Sequence, residues 1–253
     1  MDEPIRTVVS RLRSAESVLW ITGAGLSADS GLPTYRGIGG LYEDNDTIDG
    51  MPIELALSGD VFKQHPELTW KYIHQIEQAV RHALPNDAHR ILAASESRFS
   101  RALTLTQNVD GFHRAAGSKS LIDIHGDLYD LYCTGCAWRE RVSSYVDLDP
   151  VPACANCGSS IRPDVVFFGE LLPMMKVARL EQELTTGFDA VFSIGTTAVF
   201  PYISQPLVDA RRQGKLTVEI NPGETDVSRI AEFRIREGAA HALDQIWRGL
   251  RES

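Results

Sequence analysis

Four cysteines have a spacing that points to metal chemistry. They form two Cys-x-x-Cys pairs, Cys133 with Cys136 and Cys154 with Cys157, and the separation of the pairs falls in the window of about 15 to 20 residues that is typical of a zinc ribbon. Four thiolates close the tetrahedral coordination of one Zn²⁺ ion and leave no position for a substrate. The pattern therefore predicts one structural zinc ion per chain. Disulfides and free thiols are the alternatives, and disulfides are rare in the cytoplasm.

A glycine-rich turn near the start of the chain has the spacing of a dinucleotide-binding motif. Gly23, Gly25 and Ala28 match the pattern G-x-G-x-x-G/A directly after the apolar run 18–22, which is the order strand, turn, helix. Small residues let the backbone approach a pyrophosphate, and N–H groups at a helix start attract its charge. We take Gly23, Ala24 and Gly25 as cofactor-binding candidates, although the glycines by themselves leave an ordinary turn open.

His125 is the residue that we expect to transfer a proton. It ends the apolar run 121–125 and is followed by Gly126, which leaves room beside the ring. Histidine titrates near neutral pH, so its ring can accept a proton at little cost. The alternative is a structural histidine whose hydrogen bonds are made within the fold.

Polar loops follow three further apolar runs. The runs are 102–106, 188–194 and 216–220, and each reads as a strand. Ligands of parallel sheets collect beyond the carboxyl ends of the strands, so we expect one crevice to hold all these loops. Turn formation is the alternative role for Asn and Asp in such loops. The candidate residues are Gln107, Asn108, Asp110, Gly195, Thr196, Thr197, Asn221, Pro222 and Gly223.

The order of these elements predicts the class of fold. Strand-like runs alternate with helical patterns, such as the amphipathic stretch 4–17, and this alternation implies a parallel sheet in an α/β fold. The stretch 38–84 reads as a helical insertion that covers the glycine turn, and 132–160 reads as a small zinc-ribbon module. We therefore predict an α/β fold, a Rossmann-like parallel sheet domain with these two additions. The Rossmann-like part is assigned to about 1–37, 85–131 and 161–253.

Composition and charge limit the function classes. The 253 residues suffice for one large domain, 43% of them are hydrophobic, and the formal net charge is −9, which argues against nucleic acid as the main partner. No run of about 18 apolar residues occurs, so no membrane span is expected. The first residues lack the basic and apolar segments of a signal peptide. We expect a cytoplasmic protein, and the sequence makes no prediction of its oligomeric state.

The chain resembles the sirtuins, NAD-dependent protein-lysine deacylases, in five motifs spread over about residues 18–223. Gly23–Gly37 resembles the first sirtuin signature. Thr106–His113 resembles the second, with Phe112 where leucine is more familiar. Sirtuins carry a four-cysteine module at this point in the chain, and Arg162–Glu170 looks like their segment that pairs with an extended substrate backbone. The resemblance is to sirtuins of the bacterial type and implies a single catalytic domain.

The resemblance implies an activity. The enzyme would use NAD as a co-substrate, release nicotinamide, and transfer the acyl group of an acylated protein lysine to ADP-ribose. An ADP-ribosyltransferase would use the same pocket but pass the ribose to a protein nucleophile. A non-catalytic NAD-binding sensor is the other alternative.

The resemblance also assigns roles to residues. Asn108 and Asp110 would line the pocket that receives nicotinamide, with Asn108 counted among the catalytic residues, and Gln107 would contact the ribose. His125 would be the general base. The first signature adds Tyr35 and Arg36 close to the phosphates, and the substrate segment adds Val165, Val166, Phe167, Phe168, Gly169 and Glu170.

One further pattern bears on the choice of acyl group. Sirtuins that remove acidic groups such as succinyl resemble one another in a Tyr-x-x-Arg pair on the helix before a Pro-Asn break. Counting from Tyr72 places a glutamine at the arginine position, and counting back from the proline places Ile73 and Ile76 at the pair. A desolvated carboxylate without a charged partner is costly to bind. We therefore expect acetyl or other neutral acyl groups to be preferred, unless Lys71 or His74 replaces the arginine.

Overall fold

A six-stranded sheet, parallel throughout, runs through the centre of the chain. The computed structural model describes residues 2–33 and 47–252, and these residues also form a small antiparallel sheet. Their strands are β1 (Ser17–Thr22), β2 (Arg101–Thr106), β3 (Leu121–Asp123), β4 (Gly126–Cys133), β5 (Arg139–Arg141), β6 (Ile161–Val165), β7 (Ala190–Ile194), β8 (Leu216–Ile220) and β9 (Phe233–Ile235). The strand order is β3-β2-β1-β7-β8-β9 in the large sheet and β5-β4-β6 in the small one.

Helices cover the large sheet and make up the insertion. Three of them begin at caps that the sequence encodes: Asp2 accepts a hydrogen bond from the Ile5 amide, Ser58 accepts one from the Val61 amide, and Asn86 forms a capping box with His89. The helices of the described residues are α1 (Glu3–Arg13), α2 (Ala24–Ala28), α3 (Ile53–Ala56), α4 (Gly59–Gln64), α5 (Pro66–Arg81), α6 (Asp87–Ser95), α7 (Phe112–Ala115), α8 (Met174–Thr186), α9 (Pro201–Arg212) and α10 (Ala239–Arg251).

The large sheet is buried on both faces. Val18 and Trp20 of β1 pack in one hydrophobic cluster with α1, α6 and α10. Leu19 and Ile21 of the same strand pack in a second cluster with α8 and α9. Because successive side chains of a strand point to opposite faces, a strand that is covered on both sides must be apolar along its whole length. This requirement explains why the central strands appear in the sequence as unbroken apolar runs.

The direction of the chain reverses beside β1. The chain passes from β1 outward to β2 and β3 on one side, and later from β7 outward to β8 and β9 on the other. The loops that leave β1 and β7 therefore lead away in opposite directions. In α/β folds such a switch point opens a crevice at the carboxyl ends of the strands, and ligands bind there.

The insertion and the cysteine module share one hydrophobic core. Trp70 of α5 is fully buried, its Nε1 donates to the Ile161 carbonyl at 3.0 Å, and its ring lies 5.7 Å from that of Tyr145 between centroids. β4 begins at Gly126, so the small sheet extends outside the predicted range 132–160. This difference arises because β4 pairs with β6, a long-range contact that no local pattern announces.

The predicted fold class is confirmed. The predicted strands 18–22, 102–106 and 216–220 lie within β1, β2 and β8. β3 ends at Asp123, earlier than predicted, and His125 therefore lies on the link between β3 and β4. None of the helices in residues 2–33 and 47–252 has the length and apolar character that crossing a bilayer requires.

Candidate active site

Four loops meet at the carboxyl ends of the central strands. They follow β1, β2, β7 and β8, and hydrogen bonds join them. Gln107 Nε2 donates to Thr196 Oγ1 at 2.8 Å, and Asn221 Nδ2 donates to the Thr196 carbonyl at 3.2 Å. Thr196 therefore ties the loop after β7 to the loops after β2 and β8, and the expected crevice is formed. Of the predicted site residues in these loops, Thr197, Pro222 and Gly223 are exposed.

The motif glycines allow two of these loops to touch. The Gly25 amide donates to the Gly195 carbonyl at 2.8 Å. A Cβ atom on Gly25 would lie 2.7 Å from Gly195 Cα, and one on Gly23 would lie 2.7 Å from Thr196 Cβ. Gly195 itself has a φ of +59°, in the left-handed region that favours glycine. The glycines thus have a packing role between the β1 and β7 loops that the motif alone does not reveal.

Replacing Gly25 by alanine is expected to destabilise the protein and raise the KM for NAD. The added methyl group has no free space, because backbone atoms surround it, and overpacking of this kind costs about 1–3 kcal/mol. Urea unfolding and NAD kinetics would measure both effects. Gly223→Ala is the matched control for stability, because its Cβ would meet Asn221 Oδ1 only at 3.6 Å, an ordinary contact. Equal stability of the two variants would show that the loops can separate freely.

Ser27, Asn108 and Asp110 form a buried polar network under the glycine turn. Asn108 Nδ2 donates to the Gly23 carbonyl at 3.0 Å and to Ser27 Oγ at 3.1 Å. Ser27 Oγ donates to Asp110 Oδ2 at 2.7 Å, and the Phe112 amide donates to Asp110 Oδ1 at 2.9 Å. These contacts hold two predicted site residues, Asn108 and Asp110, against the predicted cofactor turn.

Burial determines the charges in this network. It raises the pKa of Asp110, and the hydrogen bonds from Ser27 and the Phe112 amide oppose that shift. Burial lowers the pKa of His89 to about 4, so this ring, 3.5 Å from Ser27 Oγ, is neutral at pH 7. The network can therefore present amide and carboxyl groups to a polar ligand without a buried cation.

A partly open cavity lies above this network. Its polar atoms come from Ser27, Asn108 and Asp110, and its other walls are apolar. A carboxamide fits such a site, because the polar groups can bond the amide while the apolar walls exclude water. Sequence reasoning missed Ser27, although its position within the glycine motif was a signal. It also missed most of the apolar lining, which comes from Leu32, Pro33, Ala79, Val80, Val109 and Leu128.

The half-buried His125 ring is held at both nitrogens. Nδ1 lies 3.0 Å from the Gln107 carbonyl, an acceptor, so Nδ1 carries the proton and Nε2 the free electron pair. Nε2 lies 2.7 Å from Tyr202 Oη. Burial lowers the pKa of His125, which keeps the ring in the form that can accept a proton. Tyr202 was missed in the sequence, because nothing local connects it with a histidine on a different loop.

The predicted substrate segment lies against His125. The Val166 amide donates to the His125 carbonyl at 2.9 Å. The Phe168 amide donates to the Leu57 carbonyl, and the Phe168 carbonyl accepts from the Gly59 amide. The backbone of Phe168 is therefore already paired with the insertion. Its side chain and Gly169 are exposed and remain accessible to an extended peptide.

Two other members of that segment have structural contacts. Phe167 is buried beneath the Arg162 guanidinium, 3.9 Å from the ring centroid. Glu170 accepts from Arg162 at 2.6 and 2.9 Å and from the Phe167 amide at 2.9 Å. The side chains of Phe167 and Glu170 therefore stabilise the shape of this loop. The sequence analysis had predicted that both residues contact the substrate peptide.

The four cysteines come together as predicted. Their Sγ atoms all lie within 4.8 Å of one another, and the pairs Cys133–Cys157 and Cys136–Cys154 are 3.4 and 3.6 Å apart. All four are free thiols, and four sulfurs at such separations suit a tetrahedral zinc ion with Zn–S bonds of about 2.3 Å. The cluster fits the predicted structural metal.

Tyr35 and Arg36, the two other cofactor candidates, lie outside the described residues.

A parallel sheet with its polar loops gathered at the switch point, together with a closed four-cysteine module, defines a nucleotide-binding α/β protein with a structural metal site. The chain belongs to the Sir2 family, whose model matches residues 23–201. The resemblance to the sirtuins found in the sequence is thereby confirmed.

Relatives of known name and structure resemble the chain over nearly its whole length. It is 48% identical over 240 residues to the NAD-dependent protein deacylase 2 of Pseudomonas syringae pv. tomato, covering 94% of this chain and 96% of the relative. A crystal structure of a Sir2 homolog–NAD complex has a TM-score of 0.87 at 35% identity, covering 100% of this chain and 94% of that one. A Sir2 protein with deacetylated p53 peptide and 3′-O-acetyl ADP-ribose has a TM-score of 0.85 at 29% identity, covering 96% and 97%.

Proposed function

We propose that this chain is an NAD-dependent protein-lysine deacylase that transfers the acyl group of a lysine to ADP-ribose and releases nicotinamide. The observation that carries the proposal is the arrangement of His125: its Nε2 is the acceptor nitrogen, and its Nδ1 is bonded to the loop that bears Asn108 and Asp110. A proton-accepting ring bonded to the loop that lines the cavity suits this reaction. The named deacylase relative and the NAD-bound neighbour support it.

The residues around the cavity would hold NAD. Asn108 and Asp110 would bind the carboxamide of nicotinamide, and the loops of Gly23, Gly25 and Thr196 would take the ribose and phosphates. When bound, NAD supplies an activated ribose carbon that accepts the acyl oxygen of the lysine as nicotinamide leaves. His125 would then accept the proton of a ribose hydroxyl, which attacks the acyl carbon. Water finally yields free lysine and O-acyl-ADP-ribose.

The substrate would be an acylated lysine in an extended segment of another protein. The exposed Phe168 and Gly169 beside His125 would receive that segment, and the peptide-bound neighbour supports this class of partner. We also propose a cytoplasmic location, because four clustered free thiols suit a reducing compartment.

Product analysis tests the proposal. The chain would be incubated with NAD and an acetyl-lysine peptide, and the products would be identified by mass spectrometry. We expect free lysine peptide, nicotinamide and O-acetyl-ADP-ribose in equal amounts. ADP-ribosylated protein would instead indicate an ADP-ribosyltransferase. An absence of turnover with retained NAD binding would indicate a non-catalytic NAD-binding sensor.

The side of the cavity next to α5 would receive the acyl group, apart from the polar side at Asn108 and Asp110 that would receive nicotinamide, and we expect its apolar wall to favour neutral acyl groups. Ile76 lines it, whereas Ile73 is buried in the core of the insertion. Lys71 and His74 are the predicted replacements for the arginine. Lys71 is bound to Asp49 at 2.7 Å, and His74 packs between Trp70 and Tyr145. Neither contributes to the cavity wall. No described basic side chain of α5 therefore meets the carboxylate of a succinyl group there.

We expect acetyl-lysine to be turned over at least about tenfold faster than succinyl-lysine in the same peptide, because desolvating an unpaired carboxylate costs more than 1.4 kcal/mol. Turnover of acetyl, butyryl, crotonyl and succinyl versions would be compared. Ile76→Arg should raise the succinyl-to-acetyl ratio. Gln75→Arg, an exposed neighbour on the same helix, is the matched control and should leave the ratio unchanged. A preference for succinyl-lysine in the unmodified chain would contradict this prediction.

A further inference from the structure

Both ring nitrogens of His125 are engaged by the protein itself. Nδ1 bonds to the Gln107 carbonyl at 3.0 Å, and Nε2 bonds to Tyr202 Oη at 2.7 Å. The Nδ1–H group donates a hydrogen bond to the Gln107 carbonyl, so Nε2 carries no proton and can only accept. The Tyr202 hydroxyl must therefore donate to Nε2. The nitrogen that should receive the ribose proton is therefore already occupied by a phenol.

Tyr202 is held firmly in this position. It lies in the first turn of α9, where the Ile203 and Ser204 amides both donate to the Phe200 carbonyl at 2.9 and 3.0 Å. Its ring stacks on that of Phe200, with centroids 5.5 Å apart and 14° between the planes. The His125 ring meets both aromatic rings edge to face. These contacts keep the hydroxyl at Nε2 and give it little freedom to swing away.

We propose that Tyr202 is a further catalytic residue, which passes the proton of the ribose hydroxyl to His125. The inference rests on the proposed deacylase function. The ribose hydroxyl would donate to the free electron pair of Tyr202 Oη. As its oxygen attacks the acyl carbon, its proton moves to Tyr202 Oη, and the original phenol proton moves to His125 Nε2. Tyr202 is neutral before and after the step, and His125 becomes the imidazolium.

The environment of Tyr202 suits this role. Burial raises its pKa to about 12, so the phenol keeps its proton at neutral pH and can donate and accept at once. Within the described residues, Oη has His125 as its hydrogen-bond partner and a second acceptor site left for a ligand. A hydroxyl that donates one hydrogen bond and accepts another can pass a proton from one partner to the other while its own net charge stays the same.

The competing explanation is that Tyr202 is a resting-state cap. In that case the ribose hydroxyl would displace the phenol and bond to Nε2 directly. The two roles predict opposite effects for removal of the hydroxyl. If Tyr202 is a relay, loss of its hydroxyl slows the step in which His125 accepts the ribose proton. If Tyr202 is a cap, loss of the hydroxyl removes a competitor of the ribose for Nε2. In that case the KM for NAD falls, and the rate of proton transfer is unchanged or rises.

Tyr202→Phe removes the hydroxyl and retains the ring that stacks on Phe200. Two rates would be measured with an acetyl-lysine peptide: nicotinamide exchange, which reports the first step, and O-acetyl-ADP-ribose formation, which requires the base. We expect exchange within about threefold of the unmodified chain and product formation slower by about 10- to 100-fold, less than loss of a general base because water can partly replace the hydroxyl. Tyr132→Phe is the control: Tyr132 is half-buried in the small sheet, and neither rate should change.

The outcomes separate the possibilities. Unchanged product formation, or a lower KM for NAD with an undiminished rate, would overturn the relay. An equal loss of exchange and product formation would also overturn it, because a relay acts only after nicotinamide has left. If the unmodified chain itself shows neither exchange nor O-acetyl-ADP-ribose, the proposed deacylase function fails, and this result is distinct from any effect of the variant. Thermal unfolding would verify that Tyr202→Phe is folded.

Discussion

His125→Ala is expected to lower the rate of NAD-dependent deacylation by about 10²–10⁴-fold, the usual contribution of a general base. The substitution removes the acceptor nitrogen and the two hydrogen bonds to Gln107 and Tyr202. NAD binding should persist, because the proposed contacts to nicotinamide come from Asn108 and Asp110. The rate of O-acetyl-ADP-ribose formation and the affinity for NAD would be measured side by side.

The pH dependence offers a second measurement of the same role. His125 must be neutral to accept a proton, so activity should fall as the pH drops through its pKa. Burial lowers that pKa below the ordinary value of about 6.5. The acid limb of kcat/KM should therefore lie below pH 6.5 and be absent from the residual activity of His125→Ala.

His241→Ala provides the control. This histidine is exposed on α10, with its only described ion-pair contact to Glu237 at 3.6 Å, and its loss should leave kcat and KM unchanged. Turnover of His125→Ala within about tenfold of the unmodified chain would remove His125 from the role of general base. Loss of NAD binding in a folded His125→Ala protein would point instead to a structural role.

Cys133→Ala is expected to release the zinc ion and unfold the cysteine module. Cys133 is buried, and its Sγ lies 3.4 Å from that of Cys157. Removing one of four thiolates leaves an open coordination sphere, and structural zinc contributes about 10–16 kcal/mol of binding free energy in zinc-finger peptides. Even a fraction of that energy is comparable with the total stability of a domain, about 5–15 kcal/mol.

The damage should extend beyond the module. Cys133 belongs to the same hydrophobic cluster as Trp70 and Tyr145, so loss of the metal should loosen the helical insertion as well. Zinc content by atomic absorption and hydrogen exchange of α5 would measure the two effects. Ser143→Ala, an exposed substitution in the same module, should bind one zinc ion per chain and exchange normally. Active, folded protein that contains no zinc would refute the structural role of the metal.

The sequence determined those features that a short stretch of chain can encode. A strand covered on both faces must be apolar throughout, so the runs at 18–22, 102–106 and 216–220 reveal β1, β2 and β8. Two close cysteine pairs with the spacing of a zinc ribbon predict the cluster, because each pair forms one side of the tetrahedron on its own. The polar loops were recognisable because parallel strands bring their carboxyl ends to one edge.

Only the tertiary structure decided which distant groups touch. The contact of Gly25 with Gly195, and the bond from Tyr202 to His125, join residues far apart in the chain. The same holds for the cavity wall that α5 supplies through Ile76 and for the core that the insertion shares with the cysteine module. Sequence periodicity records how deeply a side chain is buried but not which partner buries it. The partner depends on strand order and on the packing of helices across the sheet, and these long-range contacts placed the Tyr202 hydroxyl against His125.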